Sequence, residues 1–173
     1  RRVLFRSIGN PYIMPQNEEN HWVEKVFRLP NTSQCFTPPT FDVQINDLPF
    51  IKNKFITFGS LNKLTKVNED VIALWSKVLS SVSNSKLILK TKNLDNKRVR
   101  DDIINKFKKN NISSNQIVLL GESKTREELL RTYNNVDISL DTFPFQGFTT
   151  SHESAWMGVP LLTLKGNRLL FHS

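Results

Sequence analysis

The sequence predicts an α/β fold, a Rossmann-like parallel sheet with helices on both faces. Three observations carry the prediction. Beyond Phe55 short β-like runs alternate with helical stretches, the helical stretches keep their apolar residues on one face, and Gly or a capping residue punctuates the boundaries. Strands alternating with helices at this spacing imply right-handed βαβ crossovers and a sheet buried on both sides.

Each element follows from local signals. Phe55 to Phe58 is a β-like run that ends at Gly59. Asn68 is placed to cap a helix whose apolar positions Val71, Leu74, Trp75, Val78, Leu79 and Val82 recur on one helical face. Lys86 to Leu89 reads as the next strand, and Val99, Ile103 and Phe107 mark a second helix. Gln116 to Leu120 is a strand stopped by Gly121, and Thr125 with Glu128 spells a capping box ahead of Leu129, Leu130 and Tyr133. A strand from Asp137 to Leu140, a helix from Thr150 to Met157 and a strand from Pro160 to Leu164 complete the series. Residues 8–50, rich in Pro and Asn, read as linker and irregular structure. Ligands of open parallel sheets bind beyond the carboxyl ends of the strands, which gathers the loops after Phe58, Leu120 and Leu140.

The densest stretch runs from Val136 to Pro160, VDISLDTFPFQGFTTSHESAWMGVP. Its strand runs into a loop holding Pro144 and Gly147, after which Thr149 and Thr150 open a helix with Glu153 in its first turn. The first N–H groups of a helix lack intrahelical partners, and the macrodipole places partial positive charge there, so an anion docks without a dedicated cation. A carboxylate one turn in accepts hydrogen bonds from sugar hydroxyls. The same residues also serve as ordinary caps, since Ser and Thr favour that position and an acid in the first turn complements the dipole with no ligand present. Trp75 and Trp156 fall on apolar helix faces and read as core. Asp137 and Asp141 flank a buried strand and read as strand-end caps, and His152 as a surface histidine.

As a whole, this string resembles the hallmark of the protein O-GlcNAc transferases and related Spindly-type protein O-fucosyltransferases (glycosyltransferase family 41), in the form found in bacteria. FITFGSLNKLTKV, from Phe55 to Val67, and VIALWSKVLSSVSNSKLILK, from Val71 to Lys90, match the same family in the same order. The resemblance implies the C-terminal lobe of a GT-B glycosyltransferase, with the N-terminal lobe that carries the acceptor site and a family histidine missing. It divides the chain into residues 8–54, a remnant of the N-terminal lobe and linker, and 55–173, a nucleotide-sugar lobe cut short where GNRLLFHS stops within a motif. The reaction implied is inverting transfer of GlcNAc from UDP-GlcNAc to Ser or Thr hydroxyls of proteins, with GDP-fucose transfer or a non-catalytic binding module as alternatives.

Residue by residue, the resemblance assigns Lys66 to the leaving-group phosphate and Lys63 to a second, less defined cationic role. Thr149 and Thr150, after Gly147, would hold the diphosphate, Glu153 the ribose hydroxyls, and the backbone from Ser123 to Arg126 the base edge. Lysine and helix dipole then stand in for a divalent ion, so neither metal nor other cofactor is expected. Two positions depart from the pattern: Leu129 stands where the family has a histidine near the nucleotide, and Phe148 where a polar residue commonly precedes the threonine pair.

Composition narrows the alternatives. At 173 residues there is room for one hydrophobic core. The opening RRVLFRS, residues 1–7, carries Arg1, Arg2 and Arg6 in a chain that otherwise prefers Lys, Asn and Ile, and reads as translated sequencing adaptor. Setting those three arginines aside lowers the net charge from +8 to +5. The remaining basic residues are scattered, and Lys106, Lys108 and Lys109 read as the solvated face of a helix, so nucleic acid is not an expected partner. No apolar run is long enough to span a membrane. The single cysteine, Cys35, excludes an internal disulfide and suits a reducing compartment, the cytoplasm.

Overall fold

The computed structural model describes residues 6–164, and their contacts form two compact units divided between Thr37 and Pro38. The first five residues of the presumed adaptor and the terminal GNRLLFHS lie outside the described residues. In the first unit β1 (Arg6–Gly9) pairs in parallel with β2 (Lys25–Arg28), with Ile8 opposite Phe27. The carboxamide of Asn10 accepts the N–H groups of Tyr12 and Ile13, both at 2.9 Å, and turns the chain after β1. This segment was expected to be irregular; four-residue strands are too short to stand out as periodicity.

The second unit, Pro38–Leu164, contains the larger sheet. Its elements in chain order are α1 (Pro49–Asn53), β3 (Thr57–Ser60), α2 (Glu69–Ser81), β4 (Lys86–Lys90), α3 (Lys97–Lys109), β5 (Ile117–Leu120), α4 (Arg126–Arg131), β6 (Ile138–Leu140), α5 (Thr149–Trp156) and β7 (Leu161–Leu162). All five strands are parallel, in the spatial order β5-β4-β3-β6-β7. The predicted α/β class and doubly covered parallel sheet are therefore what the chain forms. Although the sequence pattern changes at Phe55, residues 38–54 pack with this unit. Asp137 accounts for part of that docking, its carboxylate accepting the Phe50 and Thr57 N–H groups at 2.8 Å each.

Alternation along the strands sorts the core into two layers. Leu87, Leu89, Ile117 and Leu119 face Val71, Trp75, Ile103 and Phe107 of α2 and α3. Ile88 faces the other way, in a cluster with Leu130, Tyr133, Met157 and Val159. Asn68 caps α2 as its position suggests, accepting the Val71 N–H at 2.9 Å. Ile72 is 1 % exposed and Leu74 37 %, so the buried stripe of α2 sits one residue from where the apolar spacing drew it. Trp75 is core, but Trp156 is 46 % exposed, contrary to expectation, because Glu153 and Ser154 take the buried face of α5.

At α4 only half of the expected capping box forms. Thr125 Oγ1 accepts the Glu128 N–H at 3.1 Å, while the Glu128 carboxylate reaches past Thr125 to the Lys124 N–H at 2.8 Å. After α5 the chain reverses through Gly158 at φ +70°, a left-handed conformation that suits glycine at a helix end. The topology then fixes where loops meet. From β3 the chain moves outward through β4 and β5, then returns to lay β6 on the opposite side of β3. The loops leaving β3 and β6 therefore diverge to opposite faces and leave a crevice at the switch point.

Candidate functional site

The loop after β3 carries Asn62 and Lys63 into a single 3-10 turn, Leu64–Lys66, closed by the Lys66 N–H on the Lys63 carbonyl at 3.0 Å. That turn aims Lys66 across the crevice. Its Nζ donates to the Gln146 carbonyl at 2.6 Å and lies 4.5 Å from the centre of the Phe145 ring. Burial pulls the Lys66 pKa below the ordinary lysine value, with Asp141 opposing the shift and Lys63 adding to it. Lys63 itself is exposed beside the turn.

The loop after β6 is organised by Asp141. One carboxylate oxygen accepts the N–H groups of Thr142 and Gly147 at 2.8 and 2.7 Å, and the other accepts the Thr163 hydroxyl at 2.9 Å. Strand β7 ends one residue earlier, at Leu162, and is shorter than its sequence run suggests. Gln146, 5 % exposed, donates its side-chain amide to the Leu164 carbonyl at 2.8 Å, and its backbone carbonyl accepts from Lys66. Gly147 is a close approach. A Cβ there would lie 2.6 Å from Thr150 Oγ1 and 2.7 Å from Ser151 Oγ.

Helix α5 starts at Thr149, with Phe148 at the N-cap and no side-chain cap. A phenyl ring accepts no N–H bond, so the helix start keeps its anion-binding character. Thr149 is exposed at that start, whereas Thr150 is tied across the crevice, its hydroxyl donating to Asn62 Oδ1 at 3.0 Å. Nδ1 of His152 sits 2.8 Å from the Phe148 carbonyl, which occupies the ring on the helix surface.

Glu153 lies one turn further on and is 4 % exposed. Burial raises its pKa, and the Arg126 guanidinium, 3.4 Å away, pulls the other way. Tyr133 packs nearby, its hydroxyl donating to the Thr150 carbonyl at 2.9 Å; burial pushes its pKa well up and Glu153 adds to the effect. Arg126 also forms part of the wall of a cleft of about 350 Å³ past the ends of β4 and β5, shared with Leu61, Lys90, Gly121, Ser123 and Leu129. A larger hollow of about 560 Å³ lies beside the start of β6, between Gln44, Arg131 and Asn134, and gathers none of these residues.

The structure thus brings Lys66, Gly147 and Thr150 into one cluster, and Arg126 and Glu153 into an adjoining pair, while Lys63 and Thr149 stand exposed at the rim. Arg126, expected to take part through its backbone, joins Glu153 through its side chain. Asn62, Gln146 and Lys90 were missed by sequence reasoning. A polar residue near a strand end is a weak signal when its partner lies eighty or so positions away, as Thr150 does from Asn62.

The doubly wound sheet brings a lysine and a helix start without a side-chain cap to its switch point, where open α/β sheets take their ligands. The chain belongs to glycosyl transferase family 41, whose model matches residues 43–171. It is 36 % identical over 152 residues to a probable UDP-N-acetylglucosamine–peptide N-acetylglucosaminyltransferase SPINDLY from Eustoma exaltatum subsp. russellianum, covering 88 % of this chain and 17 % of that protein. The counterpart from Solanum lycopersicum is also 36 % identical, over 88 % of this chain and 16 % of its own length. Among solved structures, a mutant O-GlcNAc transferase from Thermobaculum terrenum superimposes with a TM-score of 0.84 at 28 % identity, over 96 % of this chain and 31 % of that one. The sheet is that of a GT-B lobe, and the chain spans about a sixth of the length of these curated relatives.

Proposed function

We propose that this chain is the sugar-nucleotide-binding lobe of a protein O-glycosyltransferase that transfers N-acetylglucosamine from UDP-GlcNAc to Ser or Thr hydroxyls with inversion. The observation that carries the reading is the joining of the β3 and β6 loops across their crevice, where Lys66 donates to the Gln146 carbonyl just before α5 and the Thr150 hydroxyl in its first turn donates to Asn62. In the proposed reaction the acceptor hydroxyl oxygen attacks the anomeric carbon, giving up its proton to solvent or to a base of the further lobe, as the bond to the β-phosphate oxygen breaks. The departing electron pair stays on that oxygen, where Lys66 offsets the charge. Thr149 and Thr150 hold the diphosphate, Gly147 lets the loop approach that helix start closely, Glu153 accepts from the ribose hydroxyls, and residues 123–126 line the base. Lys63 adds positive charge at the rim.

Lysine and helix start supply the positive charge, so the reading calls on no metal. Among the described residues no helix is long and apolar enough to cross a membrane. We place the parent protein in the cytoplasm, with a protein acceptor presented by a further lobe.

Isothermal titration of this chain with UDP and UDP-GlcNAc, beside GDP and a donor-hydrolysis assay, tests the proposal. Binding of the uridine nucleotides without turnover is expected. Absence of binding would overturn the functional reading, and robust transfer by this chain alone would overturn the division of labour between lobes.

A further inference from the structure

Asn62 meets Thr150 through a bond that faces the wrong way for a threonine that holds a diphosphate. The buried carboxamide of Asn62 accepts the Thr150 hydroxyl on Oδ1 at 3.0 Å, while its Nδ2 donates to the Ser60 hydroxyl at 3.5 Å, the outer limit of a hydrogen bond. Ser60 is buried as well, and among the described residues its hydroxyl hydrogen has no acceptor. A hydroxyl carries one hydrogen, and Thr150 commits its own to Asn62, so only its lone pairs remain for the crevice. The oxygens of an ionised phosphate are acceptors and gain nothing from lone pairs. Ser60, Asn62 and Thr150 thus form a short polar chain whose donors run away from the helix start.

We infer that Asn62 is a positioning residue that reverses this chain when a diphosphate binds. Half a turn of the carboxamide about its last side-chain bond exchanges its oxygen and nitrogen with little change of shape. Nδ2 then donates to the Thr150 hydroxyl, which is released to donate to a phosphate oxygen, and Oδ1 accepts from Ser60. Each group now donates to the next, from Ser60 through Asn62 and Thr150 to the anion, and the phosphate charge polarises all three bonds. The reversal gives up one good bond and one long one. A carboxamide serves both states. A carboxylate in its place would keep the Thr150 hydrogen, and an apolar side chain would leave the Ser60 and Thr150 hydroxyls unmatched. The inference rests on the nucleotide-binding reading and names the residue that makes Thr150 a donor at that same site.

Titration of the chain with UDP and uridine tests it, for the wild type, Asn62→Asp, Thr150→Val and the double variant. At about pH 7, Asn62→Asp is expected to weaken UDP by about tenfold or more, the scale of a hydrogen bond to a charged group, and to leave uridine nearly unchanged. A protonated carboxyl regains a donor, so the UDP affinity of this variant should recover as pH falls from about 6 to about 4. In the Thr150→Val background Asn62→Asp should change UDP affinity by no more than about threefold, because the hydroxyl it acts through is gone. An equal loss with and without the Thr150 hydroxyl would show plain charge repulsion and overturn the inference. So would wild-type UDP affinity in Asn62→Asp. Nuclear magnetic resonance of the isotope-labelled wild type reads the same event without a substitution in the site. The Asn62 side-chain amide signals should shift with UDP and stay in place with uridine. Signals that UDP leaves unmoved would overturn the inference while nucleotide binding stands, and a wild type that binds no UDP would overturn both readings.

Discussion

Lys66 Nζ donates to the carbonyl oxygen of Gln146 at 2.6 Å, joining the loop after β3 to the loop after β6. Among the described residues the ammonium is held at the crevice by a neutral acceptor and a ring face, with no carboxylate in ion-pair contact although Asp141 acts on it from further off, so its charge is open to an incoming anion. Lys66→Ala is expected to weaken UDP by about tenfold to a hundredfold, the range of charge-assisted hydrogen bonds, and uridine far less. Because burial lowers the Lys66 pKa, UDP affinity should decline as pH rises from about 7 toward 10, earlier than an ordinary lysine would dictate. Titration calorimetry across that range checks it, and Lys66→Met should lose the pH dependence.

Glu153 gives a second pH signature, with the sign worked out from its raised pKa. The folded state holds this proton more tightly than the unfolded chain, so stability is greatest below the unfolded value and is lost as pH rises through the folded one. At neutral pH the buried charge is a standing cost that Arg126 only partly offsets. Glu153→Gln is therefore expected to raise the melting temperature at neutral pH by about 2–4 °C, with the gain vanishing in acid. The same substitution should weaken UDP, since an amide offers one acceptor oxygen where a carboxylate offers two. Thermal melts at several pH values, paired with titrations, separate the two effects.

Asp141→Asn tests the loop that presents Gln146 and Gly147. An amide cannot accept all three bonds that the Asp141 carboxylate now takes from Thr142, Gly147 and Thr163. A loss of about 1–3 kcal/mol in denaturant unfolding is expected, together with weaker UDP binding.

Gly147→Ala addresses the close approach directly. The added methyl would press on the Thr150 and Ser151 hydroxyl oxygens at 2.6 and 2.7 Å, so the loop or the helix start has to shift. The expected cost is about 1–3 kcal/mol of stability, and the Thr150–Asn62 bond should break with it. Loss of UDP affinity in Gly147→Ala beyond that of Thr150→Val would show that the backbone position matters in its own right.

The strand and helix series was legible because the chain uses local signals that agree with one another. Asn68 and Thr125 cap the helices they precede, and Gly158 reverses the chain where α5 ends. What the sequence hid depends on partners far along the chain. The buried side of α2 is set by β3 and β4, which favour Ile72 over Leu74 although both fit an apolar stripe. The parallel pair β1–β2 and the docking of residues 38–54 are non-local pairings of short segments. In the site, Lys66, Thr150 and Glu153 were marked by their motif, whereas Asn62 and Gln146 acquire meaning only when the crossover brings β6 beside β3.

That crossover leaves a seam. Strand β3 runs beside β4 in register from Thr57 to Ser60, but meets β6 at Phe58↔Ile138 and Gly59↔Ser139 alone. A diphosphate gripped by Lys66 on one side and by the start of α5 on the other would bridge the seam like a clasp. Amide hydrogens of β6 and the first turn of α5 should then exchange more slowly in the liganded protein than those of β4 and β5 by comparison with the free one, so the nucleotide would act as an external strut for the weaker half of the sheet.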